Sequence, residues 1–473
     1  MNSEAPPEIR VPEPGSWDLL KQAVRGSHHD YTSGSIGRAI FLLAVPMVLE
    51  MVMESVFAIV DVFVVSRVGS DAIATVGLTE SMLTIIYAVA IGLSIGATAV
   101  VARRIGEQDR EAAARAAVQA IVIALLASAP LAIVGIIFAK PLLELMGASP
   151  WILENGVTYT RIMLGSAPII FLLFLNNAIF RGAGDAAVAM RVLWLANGLN
   201  IVLGPILVFG LGPFPRMGVA GAALATALGR GTGVIFQLRC LLRSAGRIEV
   251  RRRHLRLEPP TLITMLRLSG SGMVQIMIGM TSWLLLVRIL SGFGSAVVAG
   301  YTIAIRMVIF ALLPSWGLAN AAATLMGQNL GAQHPDRARS AVWTACRWNM
   351  VFLGIVGLFF FSFAEPLVAF FSRETEVHAV GVACLRIVST GFVFYALGMV
   401  LSQAFNGAGD TWTPTLINVL CYWMVELPLA WFLSHRAEIG PNGAFWAIVV
   451  CHTLLAIVSA VLFQRGRWSQ RRV

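Results

Sequence analysis

The sequence predicts an all-α membrane protein whose twelve transmembrane helices form two six-helix lobes, related by a parallel, pseudo-two-fold repeat. Hydrophobic residues make up 57% of the 473 positions and charged residues 13%, whereas soluble domains carry about 25% charged residues. The mean hydropathy is +0.78. Apolar stretches long enough to cross a bilayer occur near residues 36–66, 72–102, 114–139, 157–181, 187–210, 217–242, 262–292, 297–327, 339–366, 379–407, 413–434 and 441–465.

The second half of the chain repeats the first at a constant offset of 225 residues. Arg181 begins the sequence RGAGDA and Asn406 begins NGAGDT, and the same offset places Arg161 on Arg386. Because six spans per unit is an even number, both units enter the membrane in the same orientation. This arrangement is typical of secondary transporters, in which a cavity between two lobes opens alternately to each side of the membrane.

A basic linker divides the twelve stretches into two sets. We predict an N-lobe at residues 36–242, a cytoplasmic linker at 243–261 and a C-lobe at 262–465, with cytosolic tails at 1–35 and 466–473. The first tail is polar and lacks the apolar segment of a signal peptide.

Most of the 35 Lys and Arg residues lie on the side of the termini. This positive-inside asymmetry predicts a multi-pass protein of the inner (plasma) membrane with both termini in the cytoplasm.

The net charge of +10 would suit a nucleic-acid-binding protein, but its location in the loops argues against that class. The most basic segment, RIEVRRRHLR from Arg247 to Arg256, lies in the linker between the two sets of spans. Its ordinary role there is to fix topology and to contact anionic lipids. No nucleic-acid partner is therefore predicted.

The first span carries three carboxylates, Glu50, Glu54 and Asp61, in an otherwise apolar segment that also contains Pro46. At about 100° per residue, the three side chains fall within roughly 40° of one another on the helix. Because each charge inside a bilayer costs about 2.5–3.5 kcal/mol, we expect this stripe to face a cavity or protein partners. Such acids can hold protons or cations, although Glu50 and Glu54 could instead be buried, hydrogen-bonded packing residues.

The two repeated turns each end a span on the side of the termini. Glycines there permit the left-handed backbone that terminates a helix, and each aspartate is expected to cap the helix that follows. We predict turn or gating positions at Gly182, Gly184, Asp185, Gly407, Gly409 and Asp410.

The repeat also shows where the lobes differ in charge. The acids of the first span fall on uncharged residues of the seventh, so the N-lobe is the acidic lobe. In the C-lobe, Glu426 is the carboxylate inside a span, and Arg306 is a cation inside the eighth span. The predicted substrate cavity is lined by Glu50, Glu54, Gln275, Trp283, Arg306 and Glu426.

The sequence contains none of the motifs that carry catalysis or nucleotide binding, such as HExxH, a Walker loop or GxSxG. The five cysteines show no CxxC spacing, so no metal site or disulfide framework is predicted. An integral-membrane enzyme is therefore disfavoured. A gradient-driven carrier with no cofactor other than its coupling ion remains.

Several features together resemble the multidrug and toxic compound extrusion (MATE) transporters, from Gly37 to about Gln464. Pro46 precedes Asp61 by fifteen residues, the RGAGD and NGAGD turns follow the fourth and tenth spans, and GVAGAALAT begins at Gly218. The resemblance implies two lobes in a V shape. It also implies export of amphipathic, often cationic compounds, driven by inward flow of protons or sodium ions.

The resemblance also implies a coupling site in the N-lobe. The family's fifth-span pattern Asn-x-x-x-Asp-Pro is present here as Asn200 and Pro205, but Gly204 replaces the acid. One acid and neutral oxygens make a poor sodium cage and an adequate proton site, so proton coupling is favoured unless Glu50 or Glu54 supplies the missing charge. The residues matched to the family's coupling site are Asp61, Asn200, Thr226, Asn176 and Asn177.

The predicted function is secondary active multidrug export by alternating access, with proton or sodium antiport, by a monomer in the lipid bilayer. Its predicted partners are small amphipathic molecules, mostly cationic. The alternative is a flippase or exporter of lipid-linked or anionic metabolites. Related folds carry such activities, and Arg306 would suit an anionic substrate.

Overall fold

The computed structural model describes residues 15–26, 29–243, 247–437 and 439–471, and throughout these ranges the regular structure is helical. Residues 1–14, 27–28 and 472–473 of the predicted tails and residues 244–246 of the predicted linker lie outside the described residues. The helices of the first half are α1 (Ser16–Arg25), α2 (Ile36–Ser66), α3 (Ser70–Gly106), α4 (Arg110–Leu145), α5 (Pro150–Asn155), α6 (Val157–Gly165), α7 (Ala167–Ala183), α8 (Ala186–Phe209) and α9 (Val219–Leu242).

The second half repeats this order with one additional irregularity. A π-helical segment, Val419–Glu426, separates α16 from α17. The helices are α10 (Pro259–Ser291), α11 (Ser295–Gly331), α12 (Pro335–Ser362), α13 (Ala364–Phe371), α14 (Thr375–Thr390), α15 (Phe392–Gly407), α16 (Trp412–Asn418), α17 (Leu427–His435) and α18 (Pro441–Gln464).

Ten helices or continuous helix pairs within the described residues are long and apolar enough to cross a membrane. The pair α14 and α15, bent by 57°, makes an eleventh span. With α2, which is 31 residues long and contains the three carboxylates, the number reaches twelve. The prediction of an all-α membrane protein is confirmed, and the twelve-helix layout agrees with the structure.

The internal repeat is visible in the backbone. Helices α3 and α11 each contain 37 residues and start 225 positions apart. Among the described residues, two non-glycine residues have positive φ, Gln108 at 59° and Gln333 at 60°, and they too are separated by 225 positions. Arg161 donates its Nε to a carbonyl oxygen of α4 at 3.2 Å, and Arg386 makes the equivalent bond to α12 at 3.3 Å. The duplicated sequence therefore forms duplicated structure.

The two halves contact each other closely where α2 begins and α18 ends, which we call the terminal face. Helix α3 packs along α10 and α11, and α11 also packs along α2. Gly106 lies so close to the Gln328 backbone that an added Cβ would be 2.7 Å from its carbonyl carbon. At Gly317 an added Cβ would be 2.8 Å from the Met47 backbone. Glycine is therefore required at both positions for the two halves to pack this closely.

The chain before α2 joins both halves at the terminal face. Tyr31 is buried, and its hydroxyl donates to the Gly184 carbonyl oxygen at 3.4 Å. On the other half, the Asn329 amide donates to the Tyr31 carbonyl oxygen at 3.4 Å, and Arg337 donates to the Ser33 carbonyl oxygen at 2.7 Å. These contacts hold the residues that precede α2 against both halves of the molecule at the terminal face.

The aspartates of the two repeated turns are each held by an arginine that follows the last span of the same lobe. Asp185 accepts a hydrogen bond from the Arg247 backbone N–H at 2.6 Å, and Asp410 pairs with Arg471 at 3.1 Å. The Asp185 side chain makes no capping bond to α8. The expected capping role is therefore wrong for Asp185, because its carboxylate is directed to the linker instead.

The basic linker packs against α4. Glu111 Oε2 and His254 Nε2 lie 2.6 Å apart, and Arg115 pairs with Glu258 at 2.7 Å. The hydrogen bond with His254 lowers the pKa of the Glu111 carboxyl from its ordinary value. The charges of this segment thus connect the linker to the N-lobe.

Candidate functional site

A cavity of about 270 Å³ lies between the two lobes. Drug-sized ligands occupy pockets of about 300–1,000 Å³, so this volume is near the lower end of that range and suits a small molecule. On the terminal side the lobes are joined beneath it, because Thr324 Oγ1 donates to the Arg181 carbonyl oxygen at 3.0 Å and Gln328 Nε2 to that of Gly182 at 2.9 Å. Its apolar wall includes Met51, Ile91, Phe174, Leu313 and Trp316.

Glu50 lies at the wall of this cavity and is only 1% exposed. Its Oε1 atom accepts from the Asn177 amide and from the Arg181 guanidinium, both at 3.3 Å. The other carboxylate oxygen has no hydrogen-bond partner within the described residues. A buried carboxylate is stabilised by such a guanidinium, so Glu50 and Arg181 form one unit.

Glu54 lines the same cavity one helical turn further along α2. Its Oε2 atom accepts from the Asn197 amide at 2.9 Å. Arg230, on α9, also lines the cavity and donates to the Tyr87 hydroxyl at 2.9 Å. Its guanidinium lies 5.9 Å from the centre of the Phe57 ring. The site thus presents two acids and two arginines.

Asp61 lies further along α2, towards the face opposite the terminal face, and is partly buried. No hydrogen bond to its side chain occurs in the described part of the chain, and the charges that act on it are those of Glu80 and Arg230. Asn200 and Thr226, which the sequence grouped with it, bond each other at 2.7 Å. Asp61 and this pair therefore lie in the same lobe, and no hydrogen bond joins them in the described part of the chain.

The remaining residues of the predicted coupling site lie elsewhere in the lobe. The Asn176 amide donates to Gln237 at 3.2 Å, and Gln237 in turn donates to the Asn177 amide oxygen at 2.7 Å. Because Asn177 also bonds Glu50, this network supports the acid on the terminal side of the cavity. The residues of the predicted coupling site therefore do not form one cluster. Asn176 and Asn177 belong to the network that supports Glu50, whereas Asn200 bonds Thr226.

Four residues predicted to line the substrate cavity lie outside its lining. Gln275 is buried within α10, and Trp283 is half exposed. Arg306 is exposed on α11 and acts electrostatically on Glu80. Glu426, at the end of the π-helical segment, is buried in the C-lobe, where it accepts from Ser282 at 3.3 Å. Gln275 and Glu426 are thus interior residues of the C-lobe, and Trp283 and Arg306 are exposed outside the cavity lining.

The turn residues lie at the terminal face. Gly184 and Gly409 have φ angles of 86° and 82°, the left-handed region that glycine adopts without strain. An added Cβ at Gly182 would be 3.0 Å from the Thr98 carbonyl oxygen. At Gly407 it would be 2.7 Å from the Ala323 carbonyl carbon, so both glycines also permit close helix packing.

Sequence reasoning did not select the two arginines of the cavity, Arg181 and Arg230. One available signal was the cost of a cation inside an apolar span, which marks Arg230 as a residue with a function. Asn197 and Tyr87, which orient Glu54 and Arg230, gave no such signal. Polar residues of their kind are common in spans, and only tertiary contacts identify their partners.

The family described as MatE matches residues 46–206 and, a second time, 271–432, with starts 225 positions apart. The chain is 27% identical over 449 residues to the "Probable multidrug resistance protein NorM" of Thermotoga maritima, covering 93% of this chain and 94% of that protein. It is 26% identical over 450 residues to the "FAD transporter" of Shewanella oneidensis, covering 92% and 96%.

Among solved structures, the fold is similar to one titled "Outward-facing conformation of a multidrug resistance MATE family transporter of the MOP superfamily". The TM-score is 0.86 at 26% sequence identity. The similarity covers 95% of this chain and 98% of that one, so the two folds agree over nearly their whole length.

Proposed function

This chain belongs to the MatE family, the multidrug and toxic compound extrusion transporters, and on that premise we propose that it couples inward proton flow to export of small amphipathic compounds. Membership makes it a multi-pass membrane transporter of small molecules rather than an enzyme. The observation that carries the proposal is the cavity between the lobes, with carboxylates on α2 at its wall and Asp61 further along the same helix.

The proposed cycle assigns separate tasks to the acids of α2. Glu54 attracts the cationic group of a substrate, and the apolar wall receives its body. Asp61 takes a proton from outside while the cavity is closed at the terminal face, which we place in the cytoplasm. Protonation removes the charge of Asp61 from α2, which weakens the attraction of this helix for the cation and favours the rearranged lobes, so the substrate leaves. The protein acts as a monomer in the plasma membrane, with no cofactor other than the ion.

Proton coupling is preferred over sodium coupling because, among the described residues, Glu80 is the one other carboxylate whose charge acts on Asp61. Asn200 and Thr226 already bond each other, and Gly204 provides no side chain beside them. A sodium ion without its water needs several oxygen ligands at once, whereas a proton needs a single carboxylate.

Purified protein in liposomes tests this proposal. An imposed pH gradient or sodium gradient is applied separately, and efflux of a cationic fluorescent dye is followed. We expect the pH gradient to drive efflux, and the sodium gradient alone to have no effect. Transport stimulated by sodium and indifferent to pH would contradict proton coupling, and no gradient-driven flux of any dye would contradict export itself.

A second candidate function is export of anionic metabolites. Arg181 and Arg230 line the cavity, and one relative is named an FAD transporter. If that function is correct, an anionic fluorescent compound trapped in the same liposomes should leave faster than the cationic dye. The same assay therefore separates the two candidates.

We expect Glu54→Gln to weaken binding of cationic compounds about tenfold, which is about 1.4 kcal/mol, and to spare neutral ones. The reason is that Glu54 has a neutral partner, Asn197, so its charge is available to a ligand. Glu50→Gln should also reduce the thermal unfolding midpoint, because Arg181 then loses its carboxylate. Equilibrium binding measures the effect of Glu54→Gln, and thermal unfolding measures that of Glu50→Gln. An equal loss for cationic and neutral compounds in Glu54→Gln would indicate a packing role.

We also expect Gly204→Asp to increase the sodium sensitivity of transport. A Cβ at this position would lie 3.7 Å from Asn200 Oδ1, at an ordinary contact distance, so an added carboxylate can be accommodated next to the Asn200 and Thr226 pair. Dye efflux measured with and without external sodium tests this, with Gly198→Asp as a control because no atom lies within 4 Å of a Cβ added there. Sodium stimulation of both variants, or of neither, would contradict the proposed sodium ligands.

A further inference from the structure

Two opposite charges in the cavity are held by neutral partners rather than by each other. Glu54 is oriented by the Asn197 amide, and Arg230 by the Tyr87 hydroxyl. Among the described residues no ion pair joins Glu54 to Arg230, whereas Glu50 and Arg181 form one directly at 3.3 Å. Glu54 and Arg230 nevertheless line the same cavity and lie close enough to interact electrostatically.

Arg230 retains unused capacity to bind an anion. A guanidinium has five N–H donors, and within the described residues only the Tyr87 hydroxyl accepts from this one. The residue is 9% exposed and the rings of Phe57 and Tyr87 lie beside it, so its orientation is restricted. A buried cation without a bonded carboxylate is costly in a membrane protein. An anionic group of a ligand in the cavity would offset that cost.

The charges of all the residues that line the cavity also indicate a ligand with an anionic group. Its ionisable residues are Glu50, Glu54, Arg181 and Arg230, so the formal charges balance. With Glu50 and Arg181 paired, the charges left for a ligand are one carboxylate and one guanidinium. A ligand with only a cationic group is attracted by the Glu54 carboxylate and repelled by the Arg230 guanidinium.

We propose that Glu54 and Arg230 form a two-charge subsite that selects zwitterionic amphipathic substrates. Arg230 binds the carboxylate or phosphate of the ligand, Glu54 binds its ammonium group, and Phe174, Met51 and Trp316 contact its apolar body. This inference rests on the proposed function to the extent that the cavity is taken as the substrate site. It adds the class of substrate and the residue that recognises the anion.

A pair of matched dyes tests the subsite in the absence of any gradient. One is a cationic xanthene dye with a free carboxylate, which is a zwitterion at neutral pH, and the other is its ethyl ester, which is only cationic. Their affinities for the purified full-length protein are measured by fluorescence polarisation. We expect the native protein to bind the zwitterion more tightly than the ester.

Arg230→Gln should weaken binding of the zwitterion about tenfold and leave the ester unchanged or bound more tightly. Arg230→Lys keeps the positive charge and should retain part of the preference for the zwitterion over the ester. It replaces Arg230→Gln in the test if that variant does not fold. Glu54→Gln should weaken both dyes, because both contain the cationic group. Arg161→Gln is the matched control, since Arg161 lies in the same lobe, outside the cavity lining, and bonds the backbone of α4.

An unchanged ratio of the two affinities in both Arg230 variants would overturn the inference, as would an equal loss for both dyes. Lack of measurable binding of the zwitterion to the native protein would overturn it as well. Because binding is measured without a gradient, its result is independent of proton coupling. A selective loss in Arg230→Gln together with no gradient-driven transport would uphold the subsite and contradict the proposed exporter.

Discussion

Replacing Asp61 by asparagine is expected to reduce gradient-driven export to the level of protein-free liposomes. The amide has nearly the shape of the carboxyl but cannot take up and release a proton. In the structure Asp61 has no hydrogen-bond partner among the described residues, so the substitution removes no stabilising bond. Dye efflux under a pH gradient measures the effect, and expression and the thermal unfolding midpoint should remain close to those of the native protein.

The control for this variant is Glu154→Gln. Glu154 is an exposed acid of α5 in the same lobe, remote from the cavity lining, and its substitution should leave efflux unchanged. Transport by Asp61→Asn at the native rate would show that another group carries the proton. In that case Glu50 and Glu54 would be the next candidates, since both lie on the same helix.

Replacing Gly106 by valine is expected to have the second large effect, by separating the lobes at the terminal face. The space that a Cβ would need is occupied by the backbone of Gln328 on the other lobe. Overpacking of this kind costs about 1–3 kcal/mol, and here the cost falls on the conformation in which the lobes touch. A free-energy change of that size shifts the ratio of two conformations about 5- to 150-fold. Export should slow accordingly.

Spin labels at Arg110 and Asp336, both exposed at the terminal face, measure this separation. The distance between them should increase in Gly106→Val and stay at the native value in Gly270→Val, because nothing lies within 4 Å of a Cβ added at Gly270. A native distance together with native transport in Gly106→Val would contradict the expectation that this glycine is needed for the two lobes to meet at the terminal face.

Much of the fold follows from the sequence because the apolar runs and the constant offset are local features. Span positions such as 36–66 coincide with α2, and the repeat predicted from the RGAGDA and NGAGDT turns recurs in paired backbone angles at Gln108 and Gln333. The breaks after Gly165 and Thr390 were not predicted. Nor was the π-helical segment, because hydropathy does not register a change of helical twist.

The site was predicted less completely, for a physical reason. Helical spacing places Glu50 and Glu54 on one stripe, and both line the cavity. It does not reveal how each helix is rotated against its neighbours, and that rotation pairs Glu50 with Arg181 and leaves Glu54 to Asn197. For the same reason, the C-lobe residue Glu426 was grouped with the cavity although it bonds Ser282 inside its own lobe.

The central claim is that two lobes alternate around an acidic first span under the control of a proton. The distance between spin labels at Leu145 and Phe370 tests it most directly. Both residues are highly exposed, at 84% and 85%, and occupy equivalent positions of the two lobes on the face opposite the terminal face. A change from mildly alkaline to mildly acidic pH should shorten this distance in the native protein and leave it unchanged in Asp61→Asn. A distance that does not respond to pH in the native protein, or that responds equally in Asp61→Asn, would contradict the claim.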